Sequence, residues 1–205
     1  MNIRDGSVVN SISSAAGIIL TGSEENATNL NVSNSLYNLT TDFHYGVWAC
    51  VDDEAYKGKP THTILVNDNG AMNISDTAGS PYVASAGIMM DDGVSLIADN
   101  GVITTNGKYL YGGINAYGND VDIRFKDNSH VDVESITYGA ENKNQKLIVT
   151  GGTLTYDYKA DNTLWPVNEQ GDKLTNFLLT KDDARANFDA LHLRQTPLGV
   201  RLPCK

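Results

Sequence analysis

Glutamate is scarce in this chain, at 6 of 205 residues, and cysteine occurs only twice. A helical bundle or coiled coil is excluded, because both draw heavily on Leu, Ala, Glu and Lys. Basic residues are also few. Fifteen Lys and Arg against 25 Asp and Glu give a net charge of −10. Nucleic acid and anionic membrane surfaces need clustered positive charge, so neither is an expected partner. Cys50 and Cys204 are far apart and form no CxxC, which leaves neither a disulfide framework nor a zinc site. The longest clean apolar run near the start is residues 15–20, far too short to span a bilayer. Residues 1–5 lack the apolar core of a secretion signal. No phosphate loop or nucleotide fingerprint is present.

Turn chemistry fills the space. Asn, Asp and Gly supply 59 of the 205 residues, and each favours bends for its own steric reason. A hydrophobic content of 40% still permits a core, which argues against disorder. The composition predicts an all-β chain with many bends. Such a chain either works inside the cell or is part of a longer secreted or cell-surface protein, and the composition favours the second.

A repeat organises residues 17–158. A Gly followed by a mostly apolar doublet recurs at Gly17, Gly46, Gly87, Gly113 and Gly139. Each copy continues with an alternating run, such as Leu30-x-Val32, Ile64-x-Val66 or Leu147-x-Val149. Period-two alternation marks a strand with one buried face. A polar bend follows (Ser33-Asn34-Ser35, Asp68-Asn69-Gly70, Asp99-Asn100-Gly101, Asp127-Asn128-Ser129), then another short run. Three short strands in about 26 residues cannot bury their apolar face alone, whereas stacked copies can. The expected fold is therefore a single-stranded parallel β-helix, or solenoid, of about five to six coils. An antiparallel sandwich would also show short alternating strands. It would not place the same bend at the same point of every unit.

Stacking predicts inward columns: Ile18, Val47, Ile88, Ile114, Ala140; Val32, Val66, Leu96, Ile123 or Phe125, Val149; and Met72, Val102, Val131, Leu154. Asn34, Asn69, Asn100 and Asn128 are expected to form an asparagine ladder at the bends. Residues 1–16 read as an N-terminal cap or partial coil. Residues 159–205 read as a C-terminal cap or linker. A short helix is predicted near 181–192, because Thr180 and the acidic pair after it resemble a helix start. Two stretches break the rhythm, about 52–61 and 76–85, and such loops often carry function.

The position after each Gly-apolar pair should face outward, giving Ile19, Trp48, Met89, Asn115 and Glu141. Trp48 would lie over Met89, with Tyr45 beside it and Tyr56 in the following loop. Exposed aromatic planes suit the apolar face of a sugar ring, so Tyr45, Trp48, Tyr56 and Met89 are the candidate carbohydrate-binding residues. Carboxylates gather at the next bend in successive coils: Asp53, then Asp91 and Asp92, then Asp120. Hard oxygen ligands at that density suit calcium, although ordinary turn aspartates would look the same. For catalysis, Asp122, Asp132 and Glu134 are the carboxylates a glycoside hydrolase could use. Arg124 is the sole arginine between residues 17 and 158, hence the one candidate base for a polysaccharide lyase. Its neighbours Asp122 and Lys126 point instead to a surface ion-pair face. No catalytic residue is assigned.

The Gly113-Ile114-Asn115-Ala116 and Gly151-Gly152-Thr153-Leu154 phrases, with strand and Asn/Gly bend between them, resemble right-handed β-helix proteins. More narrowly, the pattern is similar to secreted carbohydrate-binding β-helices of the pectate-lyase superfamily and to repeat-rich surface proteins of gut bacteria. The resemblance implies a right-handed coil, carbohydrate binding, and an association with calcium and acidic polysaccharides. The Asp-Gly-Ile phrase usual in that group is missing, since Tyr45, Ala86, Gly112 and Tyr138 precede the glycines. The expected function is a non-catalytic module binding a polysaccharide or glycan. The alternatives are a structural adhesin or stalk module, and a polysaccharide lyase or hydrolase.

Overall fold

A computed structural model describes residues 1–22, 27–42, 44–51, 58–77, 83–159, 161–175, 177–179 and 185–189. Among them there is no helix, and the strands run coil by coil. The first coil is β1 (Asn2–Ile3), β2 (Val8–Ser13) and β3 (Ala16–Gly22). The second is β4 (Asn29–Ser33), β5 (Leu36–Thr41) and β6 (Tyr45–Val51). The third is β7 (Thr63–Asn67), β8 (Ala71–Asp76) and β9 (Ala86–Met90). The fourth is β10 (Ser95–Asp99), β11 (Val102–Asn106) and β12 (Ile114–Ala116). The fifth is β13 (Asp122–Lys126), β14 (His130–Asp132) and β15 (Ile136–Tyr138). β16 (Lys146–Val149), β17 (Thr153–Asp157) and β18 (Pro166–Val167) begin the end of the stack, which β19 (Phe177–Leu179) and β20 (Arg185–Asp189) complete.

Corresponding strands of successive coils pair in parallel and make three sheets. The first runs β1-β4-β7-β10-β13-β16-β18, the second β2-β5-β8-β11-β14-β17, and the third β3-β6-β9-β12-β15. The chain is thus a parallel β-solenoid, as the repeat predicts.

The registers refine the columns. On the first sheet Leu30, Ile64, Leu96, Ile123 and Leu147 form one inward file, and Val32, Val66, Ala98, Phe125 and Val149 the next. Leu96 therefore sits in the neighbouring file, and Ala98, two residues on, takes its expected column. On the second sheet Tyr37, Met72, Ile103, Val131 and Leu154 face inward. Ile103 takes the place expected for Val102, which pairs with Ala71 on the outer side. On the third sheet Ile18, Val47, Ile88 and Ile114 are followed by Ile136, not Ala140. The Gly139 signal misleads because Ser135-Ile136 replaces the Gly-apolar pair in the fifth coil. All of these inward residues from the second coil on are buried in one continuous core.

Glycine recurs before these inward residues for a packing reason. A Cβ on Gly46 would lie 2.5 Å from the Gly87 carbonyl oxygen, and one on Gly87 would lie 2.5 Å from that of Gly113. The coils approach too closely there for any side chain.

The bends between first and second sheets use left-handed backbone, with φ of 45° at Asn34, 62° at Asn69 and 55° at Asn100. Asn and Asp tolerate that region because their side chains hydrogen-bond locally. In the fifth coil Asp127, with φ of 52°, takes the role expected of Asn128. Of the expected bend ladder, Asn100 Nδ2 donates to Asn69 Oδ1 at 3.3 Å. A longer ladder lies elsewhere, on the outer face of the second sheet. Asn38 Nδ2 donates to Asn10 Oδ1 at 2.8 Å, Asn73 Nδ2 to Asn38 Oδ1 at 2.9 Å, and Thr104 Oγ1 to Asn73 Oδ1 at 2.8 Å.

The far end departs from the parallel plan. β20 pairs antiparallel with β17, and β19 antiparallel with β20. Residues 185–189 of the helix predicted over 181–192 are thus a strand, and its remaining residues lie outside those described. Pairing with an existing sheet edge satisfies every other backbone group of the segment at once, which outweighs a weak local helix signal.

Candidate functional site

The outer face of the third sheet carries the site. Alternation turns part of β3, β6, β9, β12 and β15 outward, and the registers stack Ile19, Trp48, Met89, Asn115 and Thr137. Thr137 replaces the expected Glu141, for the reason that moves Ile136 into the core. The loops flanking β12 add Tyr111 and Tyr117, which are 49% and 52% exposed. Trp48, Met89, Asn115, Tyr111 and Tyr117, with Tyr45, Asp91 and Tyr138, line a groove of about 890 Å³.

Three of the four predicted carbohydrate-binding residues, Tyr45, Trp48 and Met89, line this groove. Tyr56 lies outside the described residues. The Tyr45 and Trp48 rings meet with centroids 5.2 Å apart and planes inclined by 46°. Burial, helped by the neighbouring Tyr111, Asp91 and Tyr117, raises the Tyr45 hydroxyl above the usual phenol range. Tyr45 therefore stays protonated and can donate a hydrogen bond. Trp48 Nε1 donates to Asp91 Oδ2 at 3.3 Å, and the Val51 N–H donates to the same oxygen at 3.2 Å.

The predicted calcium ligands do separate jobs. Asp91 holds Trp48. Asp92 is buried and accepts from the Asn119 backbone N–H and from Asn119 Nδ2. Asp120 is exposed, has φ of 54°, and accepts from Asn144 Nδ2 at 2.8 Å. Asp53 lies outside the described residues. Among the described residues no three of His, Cys, Asp and Glu group closely enough to hold a metal ion.

The residues weighed for catalysis are spread over the solenoid. Arg124, on β13 of the first sheet, is held by Asp122 at 2.8 Å and by Glu169 at 3.2 Å. Asp122 lies on the first sheet and Asp132 on the second. Glu134 alone comes near the groove. It lines a recess of about 160 Å³ that shares Tyr111, Asn115 and Tyr138 with the groove.

Sequence reasoning missed Tyr111, Tyr117 and Tyr138 as site residues, and Glu134 as their neighbour. A density of tyrosine was visible over 109–117, where Tyr109, Tyr111 and Tyr117 occur in nine residues. Which of them faces the groove depends on how the loops around β12 fold back, and no periodicity governs that. Tyr109 turns inward and is buried, whereas Tyr111 and Tyr117 stay outside.

Comparison with known proteins finds no match to this chain among family models, curated proteins or solved structures. The fold and the groove together define the chain as a parallel β-solenoid with an aromatic groove on one face.

Proposed function

We propose that this chain is a non-catalytic carbohydrate-binding module of a secreted or cell-surface protein, akin to the carbohydrate-binding β-helices of the pectate-lyase superfamily. The observation that carries the reading is the aromatic lining of the groove. Tyr45, Trp48, Tyr111, Tyr117 and Tyr138 surround it across the second to fifth coils. Coils rise by about 4.8 Å each, so three steps span about 14 Å, the reach of a short run of sugar rings. Aromatic rings offer flat apolar area with a polar tip, which matches a pyranose with its apolar face and hydroxyl rim. Tyr45, Trp48 and Tyr138 sit on paired strands, so these rings keep their spacing before any ligand arrives.

A glycan array, probed with the full chain in the presence and absence of calcium, tests this reading. Binding to a defined set of glycans is expected, weakened about tenfold by Trp48→Ala. The calcium arm separates direct recognition from recognition through a bridging ion. Absence of binding to every glycan in both arms overturns the reading and favours a structural stalk.

A further inference from the structure

The recess beside the groove holds two hydrogen-bond acceptors that the protein itself leaves unused. Asn115 is 6% exposed. Its Nδ2 donates to Thr137 Oγ1 at 2.7 Å and to the Tyr111 carbonyl oxygen at 3.3 Å. Those contacts fix which end of the amide is which. Its Oδ1 is shielded from solvent and has no hydrogen-bond partner among the described residues. Glu134 Oε2 is in the same state, while the Glu134 carboxylate accepts the Tyr109 backbone N–H. Buried acceptors without donors cost stability, and of the seven such side-chain atoms among the described residues only these two belong to residues lining this recess. Two lining one recess, next to an aromatic groove, mark a place where a ligand donor completes the set. Leu110 and Tyr111, 66% and 49% exposed, also line the recess.

The charge around the recess narrows the donor. Lys159 is the one cationic side chain among the described residues lining it, and Asp91 lies in the adjoining groove. A uronate would bring its carboxylate toward Glu134 and Asp91, in a chain of net charge −10. An ammonium would be set beside Lys159. A hydroxyl meets neither objection, and it can accept from Lys159 while donating to Glu134 or Asn115.

Resting on the carbohydrate reading above, we propose that this recess is a subsite selecting neutral sugars, whose hydroxyls donate to Asn115 Oδ1 and Glu134 Oε2. Burial also pushes the Glu134 carboxyl above its ordinary range, as befits a carboxylate awaiting a donor. The subsite favours neutral chains over the acidic polysaccharides that the sequence resemblance implies.

The test compares neutral, uronate and amino-sugar oligosaccharides against the full chain and its Trp48→Ala, Glu134→Ala and Glu134→Gln variants, each verified as folded by circular dichroism. Binding confined to neutral sugars is expected. Glu134→Ala should weaken it about tenfold or more, and Glu134→Gln should fall between, because one acceptor becomes a donor. Suppose Trp48→Ala abolishes binding while both Glu134 variants bind as the parent does, or uronates bind as tightly as neutral sugars. The subsite is then overturned and the groove reading survives. No binding to any sugar overturns both.

Discussion

Trp48 and Asp91 belong to successive coils, and the indole Nε1 donates to the carboxylate across the boundary at 3.3 Å. The Val51 N–H shares that carboxylate oxygen at 3.2 Å. One aspartate therefore ties down both the largest ring of the groove and the end of the strand that carries it. The pair also gives an acidic residue among aromatics a structural task.

Removing this carboxylate should loosen the ring. In a Trp165→Phe background Trp48 is the remaining tryptophan, because the chain has two. Asp91→Ala in that background should increase acrylamide quenching of the Trp48 fluorescence and lower stability by about 1–3 kcal/mol, through the indole and backbone donors left unpaired. Unchanged quenching would show that packing against Tyr45 is enough to hold the ring.

Two glycines with the same backbone handedness should respond differently to a methyl group. Gly152 has φ of 76°, and a Cβ there would lie 2.1 Å from the Ser129 carbonyl oxygen of the coil before it. Gly171 has φ of 86°, with nothing within 4 Å of its Cβ position. Gly171→Ala should cost about 1–2 kcal/mol, from backbone strain alone. Gly152→Ala adds overpacking of about 1–3 kcal/mol to the same strain. Urea unfolding of the two variants measures the gap, and equal losses would mean that the coils can move apart at no cost.

Glu134 makes stability depend on pH in a direction opposite to a salt-bridged acid. Burial raises its folded-state value above the ordinary 4.5, outweighing the Tyr109 N–H and Lys159 that favour the charged form. The folded chain holds this proton more tightly than the unfolded one. The group's contribution thus favours folding below its ordinary value and is lost as pH rises through the raised folded value. Glu134→Gln removes that loss. Its thermal midpoint should exceed the parent's near neutral pH and converge on it in acid. A midpoint difference that does not vary with pH would assign the effect to packing.

The columns and bends show what local pattern can and cannot carry. Period-two alternation correctly turned Val47, Ile88 and Ile114 inward and Trp48 and Met89 outward, because a strand has no other way to bury one face. The same reasoning failed at Gly139, Val102 and Asn128, each within one to four residues of the true position. From the second coil on, bends between the first and second sheets hold two residues in some coils and three in others, and a one-residue slip reverses every side chain beyond it. The asparagine ladder was expected at the bends, but its longest run stands on the outer face of the second sheet. Its members, Asn10, Asn38, Asn73 and Thr104, coincide only once the coils are in register.

The sequence pointed to a stack of short parallel strands, since Asn, Asp and Gly set a bend at the same point of every unit and apolar residues alternate between the bends, a regularity that an antiparallel sandwich does not require. It also singled out Tyr45, Trp48 and Met89 as one outward patch. Tertiary structure alone decided what surrounds them. Tyr111, Tyr117 and Tyr138 come to the groove, and Glu134 to the recess beside it, because coils about 4.8 Å apart set residues distant in sequence side by side. The loops between strands, which follow no period, choose which of those residues face the groove.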